Sequence, residues 1–268
     1  MNTQSSPIIE TKNLSFAYNG RMVLQGISLA IEKGQTWSII GKNGAGKSTL
    51  IKCIAGLLPV PAGTVLVNSI DILRMKPRER AKVISYVPQA AGRVHASYTV
   101  HDYVMLGRFP YQGLMAISNE NDRKIVLDAL QLTDVAHLKD RLMTTLSGGE
   151  LQRVFLAGAV AQQSEILLLD EPATFLDPLH QEMIRKTLDR IHIEFGTSVI
   201  TITHDANAAI SRFTNLLALV DDRLFYCGTT TDFRQQCPAI LTDIFSVGFE
   251  EARCSSTGRT IIVPGETP

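Results

Sequence analysis

Residues 41 to 49 read GKNGAGKST and fit G-x-x-x-x-G-K-[ST], the spacing of a loop that holds phosphate. Such a match arises by chance on the order of once in a hundred chains of this length. Gly41, Gly44 and Gly46 permit a tight turn and bring backbone N–H groups against phosphate oxygens, while a following helix points its positive end at the same anion. In this pattern Lys47 reaches the β- and γ-phosphates of a nucleotide and the Ser48 hydroxyl ligates Mg2+. Asn43, Ala45 and Thr49 complete the loop.

A second string, ILLLDEP at 166 to 172, is an apolar run that ends in two carboxylates. Four apolar residues predict a buried strand, and Asp170 and Glu171 then stand at the rim of a sheet, where open α/β folds bind ligands. Asp170 is expected to hold Mg2+ through water, and Glu171 to orient or deprotonate an attacking water as general base. The third string is LSGGELQ at 146 to 152. Ser147 is placed to cap a helix whose first residues, Gly148 and Gly149, expose backbone N–H groups, a second anion-binding arrangement; Glu150 follows them in the same string. No second lysine loop accompanies it. It makes sense as the completion of another molecule's site, which predicts a head-to-tail homodimer enclosing two nucleotides.

The elements that must position these groups follow from periodicity. Alternation at Ile27, Leu29 and Ile31, a Lys33-Gly34 turn and the run TWSII at 36 to 40 read as strands leading into the glycine loop. Leu50, Ile51, Ile54, Leu57 and Leu58 recur at helical spacing, and Pro59, Pro61 and Gly63 end that helix before a strand at 64 to 67. VISYV at 83 to 87 reads as a strand, and residues 91 to about 160 as mainly helical, with segments near 100 to 107, 120 to 131 and 149 to 162. Strands at 166 to 170, 198 to 203 and 216 to 220 then alternate with helices at about 179 to 195 and 205 to 213. That alternation predicts a largely parallel sheet covered on both faces, with a helical subdomain inserted in an α/β core. The tail from about 239 to 268 is too short for a regulatory domain and is expected to pack on the core.

Composition excludes little beyond disorder. The 268 residues are 45% hydrophobic and 19% charged, and 26 basic residues balance 26 acidic ones, so overall charge gives no reason to expect nucleic acid or an anionic membrane. Cys53, Cys227, Cys237 and Cys254 form no C-x-x-C pair or zinc-spaced cluster, which favours reduced structural thiols. The start, MNTQSSPIIETK, lacks the pattern of a signal peptide, and no apolar run approaches a membrane span. A membrane link is expected to come through a partner.

From roughly Ile8 to Phe233 the chain resembles the nucleotide-binding subunits of ABC transporters. GKNGAGKST resembles Walker A, LSGGELQ the ABC signature and ILLLDE Walker B. The resemblance implies a P-loop NTPase cassette with a mainly parallel core sheet, an N-terminal antiparallel β region and an inserted helical subdomain. It divides the single domain 1–268 into a core at about 1–90 and 163–238, a signature subdomain at about 91–162 and a tail at 239–268. ATP and Mg2+ are the implied cofactors. Tyr18 in FAYNG resembles the aromatic that stacks on adenine; Gln89 in YVPQ, the Q-loop glutamine that touches Mg2+ or water and leads into the transporter contact. His204 in TITHD resembles the switch histidine at the γ-phosphate, and Asp177 in FLDP the D-loop aspartate that links two sites across a dimer. Lys47, Gln89, Glu171 and His204 make up the implied catalytic set. Two departures stand out: EPATFLD replaces EPTSALD, and Gly158 in LAGAV replaces an arginine. Neither removes a group required for hydrolysis.

The segment TVHDYVMLGRFPYQGL at 99 to 114 resembles the corresponding part of importers for iron-siderophore complexes, haem and cobalamin. This implies an ATPase subunit that energises uptake of a metal chelate, iron-siderophore first and haem or cobalamin as alternatives. It implies a homodimer beneath two permease subunits that contact the region near 89–114, on the cytoplasmic face of a bacterial inner membrane, served indirectly by an extracytoplasmic binding protein. The competing class is a non-transport ABC ATPase of nucleic-acid or translation processes. About a hundred residues separate the first and third strings without sustained heptads, and there is one cassette, so that class is disfavoured.

Overall fold

The computed structural model describes residues 6–89, 97–112, 118–174, 176–253, 255 and 260–265. The sequence reading at 90–96 and 113–114 of the permease-facing stretch, at Phe175 and at Cys254 lies outside them. In chain order the first elements are β1 (Ile9–Tyr18), β2 (Arg21–Ile31), β3 (Thr36–Ile40), α1 (Lys47–Ile54), β4 (Val65–Val67) and β5 (Ile70–Asp71). The middle of the chain forms α2 (Pro77–Val83), β6 (Ile84–Val87), α3 (Val100–Leu106), α4 (Glu120–Leu132), α5 (Gly148–Ala161), β7 (Ile166–Leu169) and α6 (Pro178–Phe195). The remainder forms β8 (Ser198–Ile202), α7 (Ala206–Arg212), β9 (Asn215–Val220), β10 (Arg223–Thr229), α8 (Thr230–Gln236), α9 (Ala239–Phe245), β11 (Phe249–Arg253) and β12 (Thr260–Pro264). This is a mixed α/β architecture with an N-terminal antiparallel sheet. Two compact units divide it, one of residues 1–72 and 200–268, the other of residues 73–199.

In the first unit β1 and β2 form a long antiparallel hairpin joined by Asn19 and Gly20, with φ 48° and 82°. Asn-Gly with both φ positive is the tight turn whose twist matches paired strands. The hairpin extends into a four-stranded sheet of order β2-β1-β4-β5. Leu24 and Ile27 are both fully buried, although they are three apart, because the register slips between Leu14 and Phe16 of β1 and Gly26 takes φ 64°. An extra residue turns β2 by half a period, and strict alternation from Ile27 onward therefore stops short of the true strand start. Behind this sheet β3 pairs in parallel with β9, and β10 adds antiparallel to β9. All five side chains of β3 are buried, as a strand covered on both faces requires.

α1 ends at Ile54, shorter than the apolar spacing through Leu58 predicts. Gly56, at φ 67°, accepts the left-handed position after the cap, and Leu57 N–H bonds back to Lys52 C=O at 2.9 Å while Gly56 N–H reaches Cys53 C=O at 3.0 Å. That paired closure satisfies the last carbonyls and turns Leu57 outward, where it is 53% exposed. The tail packs within this unit: Leu241 and Ile244 of α9 are buried with Ile40, Ala209 and Phe233, and Phe249 and Ile262 cover the edge of that cluster.

In the second unit β6 and β7 pair in parallel, Ile84 opposite Ile166 through Val87 opposite Leu169. Leu156 of α5 and Ile184, Leu188 and Ile191 of α6 bury against Val87, Leu167 and Leu169. A second cluster joins α3, α4 and α5 through Val104, Val126, Leu130, Val154 and Ala157. Gly107 and Gly158 allow α3 and α5 to approach closely, since a methyl group at Gly107 would stand 2.4 Å from Gly158 O. The departure Gly158 also faces the ring of Tyr103, 3.1 Å from such a methyl, which accounts for a small residue there. Among the described residues no helix is long and apolar enough to cross a membrane.

Candidate nucleotide site

In the first unit, β3 delivers Gly41 to a loop whose path excludes other residues at two points. Gly41 has φ 148° and Gly46 φ 91°; a Cβ would stand 2.4 Å from Leu219 O at the former and 2.5 Å from Val23 O at the latter. Gly44, at φ 83°, has open space around it. Gly46 caps α1 without a side-chain acceptor, and α1 carries no acid in its first turn. At the cap the α1 ladder runs from Leu50 N–H to Gly46 C=O at 2.8 Å, so the backbone N–H groups of the first turn form the open, positive end of the helix. Lys47 is buried and its Nζ donates to Gly41 O and Lys42 O, each at 2.8 Å, which folds the loop around the ammonium. Asn43 is exposed, Ala45 and Thr49 are buried, and Ser48 is half-buried.

Tyr18 closes β1 beside the Asn19-Gly20 turn, 45% exposed, with its ring set edge-on to Phe16 at 4.9 Å between centroids. His204 follows β8 on an exposed turn. Thr203 N–H bonds Ile39 O at 3.2 Å, and Asp205 caps α7 by accepting Ala208 N–H at 3.0 Å, so the histidine is held between a core strand and a helix start.

The second unit gathers the carboxylates. Asp170 follows β7, is 5% exposed, and accepts the Tyr86 hydroxyl at 3.2 Å. Burial and the facing carboxylate both push the Tyr86 hydroxyl pKa upward, keeping it a neutral donor. Glu171 takes φ 51°, a left-handed conformation that costs on the order of 1–3 kcal/mol in a residue with a Cβ and is characteristic of functional sites. Its Oε2 accepts Gln89 Nε2 at 3.0 Å and Thr174 Oγ1 at 3.1 Å. Gln89 and Glu171, 82 positions apart, are thus brought into contact. Tyr86 and Thr174 are neighbours of the carboxylates that sequence reasoning passes over; Thr174 of EPATFLD stands where EPTSALD has Ser, so a hydroxyl is kept at that position.

The signature loop is also built as the N-terminus of a helix. Ser147 Oγ accepts Glu150 N–H at 3.3 Å and Glu150 Oε2 accepts Ser147 N–H at 2.8 Å, a reciprocal cap. The bond from Ser147 N–H, opposed by partial burial and aided by Arg141 at 3.8 Å, holds the Glu150 carboxyl below its ordinary range. Leu151 N–H makes the first intrahelical bond, to Ser147 O at 2.9 Å, so the Gly148 and Gly149 amides have no intrahelical acceptor. Asp177 caps α6: Oδ1 accepts His180 N–H at 3.0 Å and Oδ2 lies 2.6 Å from His180 Nδ1. These bonds hold the Asp177 carboxyl below the usual range. Among the described residues no group of three or more His, Cys, Asp or Glu is placed to hold a metal ion.

Comparison with known proteins identifies the family. The family model for ABC transporters matches residues 24–174. The iron(3+)-hydroxamate import ATP-binding protein FhuC of Bacillus subtilis is 36% identical over 243 residues, spanning 90% of this chain and 89% of that protein. The petrobactin import ATP-binding protein FpuC of Bacillus anthracis is 34% identical, over 90% of this chain and 87% of that protein. Among solved structures, a chain from a transporter proposed to be of the metal-chelate type, in an inward-facing conformation, superposes with TM-score 0.81 and 26% identity over 96% of this chain and 97% of that one. A dimeric post-hydrolysis state of the cassette MJ0796 bound to ADP and Pi superposes with TM-score 0.72 and 28% identity, over 83% of this chain and 98% of that one. The chain belongs to the ABC transporter family, as one of its ATP-hydrolysing cassettes.

Proposed function

We propose that this protein is the ATPase subunit of an importer that takes up a metal chelate, iron-siderophore in the first place, through a separate membrane permease. The observation that carries the reading is the similarity over nine-tenths of the chain to import ATP-binding proteins for ferric hydroxamate and petrobactin. The whole chain acts as one ATPase domain, with the helical signature subdomain at about 91–162 and the tail at 239–268. It works as a homodimer on the cytoplasmic face of the bacterial inner membrane, with two permease subunits against residues 89–114 and an extracytoplasmic binding protein supplying cargo. Exposed Leu106, Phe109 and Tyr111 support that docking face, being respectively 49%, 52% and 39% exposed.

Within each protomer Gly41 to Thr49 wrap the triphosphate, Lys47 neutralises its β- and γ-oxygens, and Tyr18 stacks on adenine. Ser48, Gln89 and Asp170 offer hydroxyl, amide and carboxylate oxygens, the hard donors Mg2+ takes, and the buried Asp170 with its neutral tyrosine partner suits a cation. Bound there, Mg2+ offsets charge on the phosphates. Glu171 accepts the proton of the attacking water as its oxygen bonds to the γ-phosphorus and the bond to the β-phosphate oxygen breaks, releasing ADP and phosphate. Gln89 and Thr174 aim the Glu171 carboxylate, and His204 contacts the γ-phosphate. Ser147, Gly148 and Gly149, with Glu150 holding their loop, close over the partner's ATP, and Asp177 links the two sites.

Glu171→Gln is expected to bind ATP without hydrolysing it and to elute as a dimer in size-exclusion chromatography. A variant that stays monomeric with ATP overturns the composite-site reading. For transport, ferric-chelate-loaded binding protein should stimulate ATP hydrolysis by the reconstituted complex; recovery of nucleic acid or ribosomes from mild-detergent pull-downs, with no polytopic permease, overturns it.

A further inference from the structure

Gly149, the second glycine of the signature loop, lies directly against the ring of His180. A methyl group built on Gly149 would stand 2.6 Å from His180 Cδ2, 2.8 Å from Cγ and 3.1 Å from Nε2, so ring and glycine backbone are in close contact. The ring is fixed from its other side: Nδ1 lies 2.6 Å from Asp177 Oδ2, and an ionised carboxylate only accepts, so Nδ1 carries the proton and donates. Asp177 Oδ1 takes the His180 backbone N–H at 3.0 Å, so each carboxylate oxygen engages His180. Side-chain exposure is 26% for His180 and 58% for Asp177.

A loop with two adjacent glycines has little conformational preference of its own, and ordering it costs more backbone entropy than ordering any other dipeptide. The cap between Ser147 and Glu150 fixes the loop at one end. His180 supplies a second wall. We propose that His180 is a positioning residue for ATP hydrolysis, clamped by Asp177 and holding Gly149 so that signature loop and D-loop present to the partner protomer as one rigid piece. The inference rests on the composite dimer site proposed above. A ring held by Asp177 at Nδ1 and packed on Gly149 lowers the cost of assembling that site, and its loss should fall on turnover in the dimer while sparing the binding of ATP to the P-loop.

The test compares His180→Ala, His180→Asn and His180→Phe. Asparagine can still donate to Asp177 but leaves the space at Gly149 empty; phenylalanine fills that space without the bond. We expect His180→Ala to lower kcat about tenfold with KM for ATP within about twofold of wild type, and each of the other two to recover part of kcat. Asp177→Asn combined with His180→Ala should cost no more than the worse single change, the mark of one shared unit. A kcat for His180→Ala within about twofold of wild type overturns the inference, as does a loss in which kcat falls in proportion to the folded fraction measured by circular dichroism. The Glu171→Gln background separates the two readings. If Glu171→Gln dimerises with ATP and the added His180→Ala leaves the ATP dependence unchanged, the clamp is wrong and the dimer stands. If Glu171→Gln never dimerises, the composite site falls and the clamp with it.

Discussion

Gly44 and Gly46 sit two residues apart in the same loop with nearly the same backbone angle, φ 83° and 91°, yet alanine should affect them very differently. At both, a Cβ forces an L-residue into left-handed backbone, a cost on the order of 1–2 kcal/mol that cancels in the comparison. What remains is the contact. At Gly44 nothing lies within 4 Å of the added carbon; at Gly46 it meets Val23 O at 2.5 Å and Leu24 Cδ2 at 2.8 Å. Val23 O is backbone of β2 and Leu24 is fully buried, so neither can withdraw as the end of a flexible side chain would. Overpacking of this kind costs about 1–3 kcal/mol, which at about 2–4 °C per kcal/mol for a large domain places Gly46→Ala roughly 2–12 °C below Gly44→Ala in melting temperature. Thermal and urea unfolding of both variants, monitored by circular dichroism, give the difference directly. The ranking should persist in the unliganded protein, because the obstruction is with β2 and not with phosphate. Equal stability of the two variants, or a less stable Gly44→Ala, refutes the argument from geometry.

Three further outcomes follow from the same structure. Arg108 and Asp122 form a buried ion pair at 2.9 Å, and Arg108 also donates to Ala161 O at 2.7 Å, so Arg108→Ala should lower the urea-unfolding free energy by about 3–5 kcal/mol; a loss under about 1 kcal/mol contradicts the buried-pair reading. The depressed Glu150 carboxyl contributes stability that is complete above the unfolded-state pKa and disappears as pH falls through the folded one. The stability gap between wild type and Glu150→Gln should therefore narrow as pH drops from about 6 to about 3, and a gap that widens has the wrong sign. Asn207 donates Nδ2–H to Ile262 O and accepts Ile262 N–H, both at 2.8 Å; Asn207→Ala should speed hydrogen exchange at the Ile262 amide by at least about tenfold, and unchanged protection means that β11 pairing alone holds β12.

The sequence is most legible where local chemistry and burial agree. β3, β7 and β9 are short apolar runs in strand-forming company, and their interiors are buried as such runs require. The cap Ser147 and the glycines of the two loops are readable because the backbone itself dictates those residue types. β1 and the first part of β2 are harder, since the bulge at Gly26 breaks the alternation; the local sign of the hairpin is Asn19-Gly20, a signal independent of hydrophobic period. Other contacts leave no local trace at all. Lys42 of the glycine loop donates to Ser246 Oγ in the tail at 2.6 Å across 204 positions, and Asn207 meets Ile262 across 55. The Gln89–Glu171 contact belongs to the same kind: each residue suggests a role through its motif, but only the parallel pairing of β6 with β7 brings them together.

The two glycine-containing loops that open α1 and α5 start their helices by opposite means, and the difference constrains what each can tolerate. In both, the helix ladder starts at the cap, with Leu50 N–H bonded to Gly46 O in α1 and Leu151 N–H to Ser147 O in α5, and the first-turn N–H groups form the positive helix end. α5 stabilises its start with an internal acid: Glu150 bonds Ser147 N–H and sits at the positive end of the helix. α1 has neither a side-chain cap nor an acid in its first turn, and Lys47 lies buried inside the loop instead. A carboxylate at that end would compete for the same amides and repel a triphosphate, so the P-loop gives up a cap worth about 1 kcal/mol. The signature loop keeps its cap because the Glu150 carboxylate is turned back onto Ser147, leaving the acid engaged on the Ser147 side of the loop while Gly148 and Gly149 carry the donors. Placing an acid at Ser48 should therefore harm nucleotide binding far more than it harms folding, whereas removing the acid at Glu150 should do the reverse.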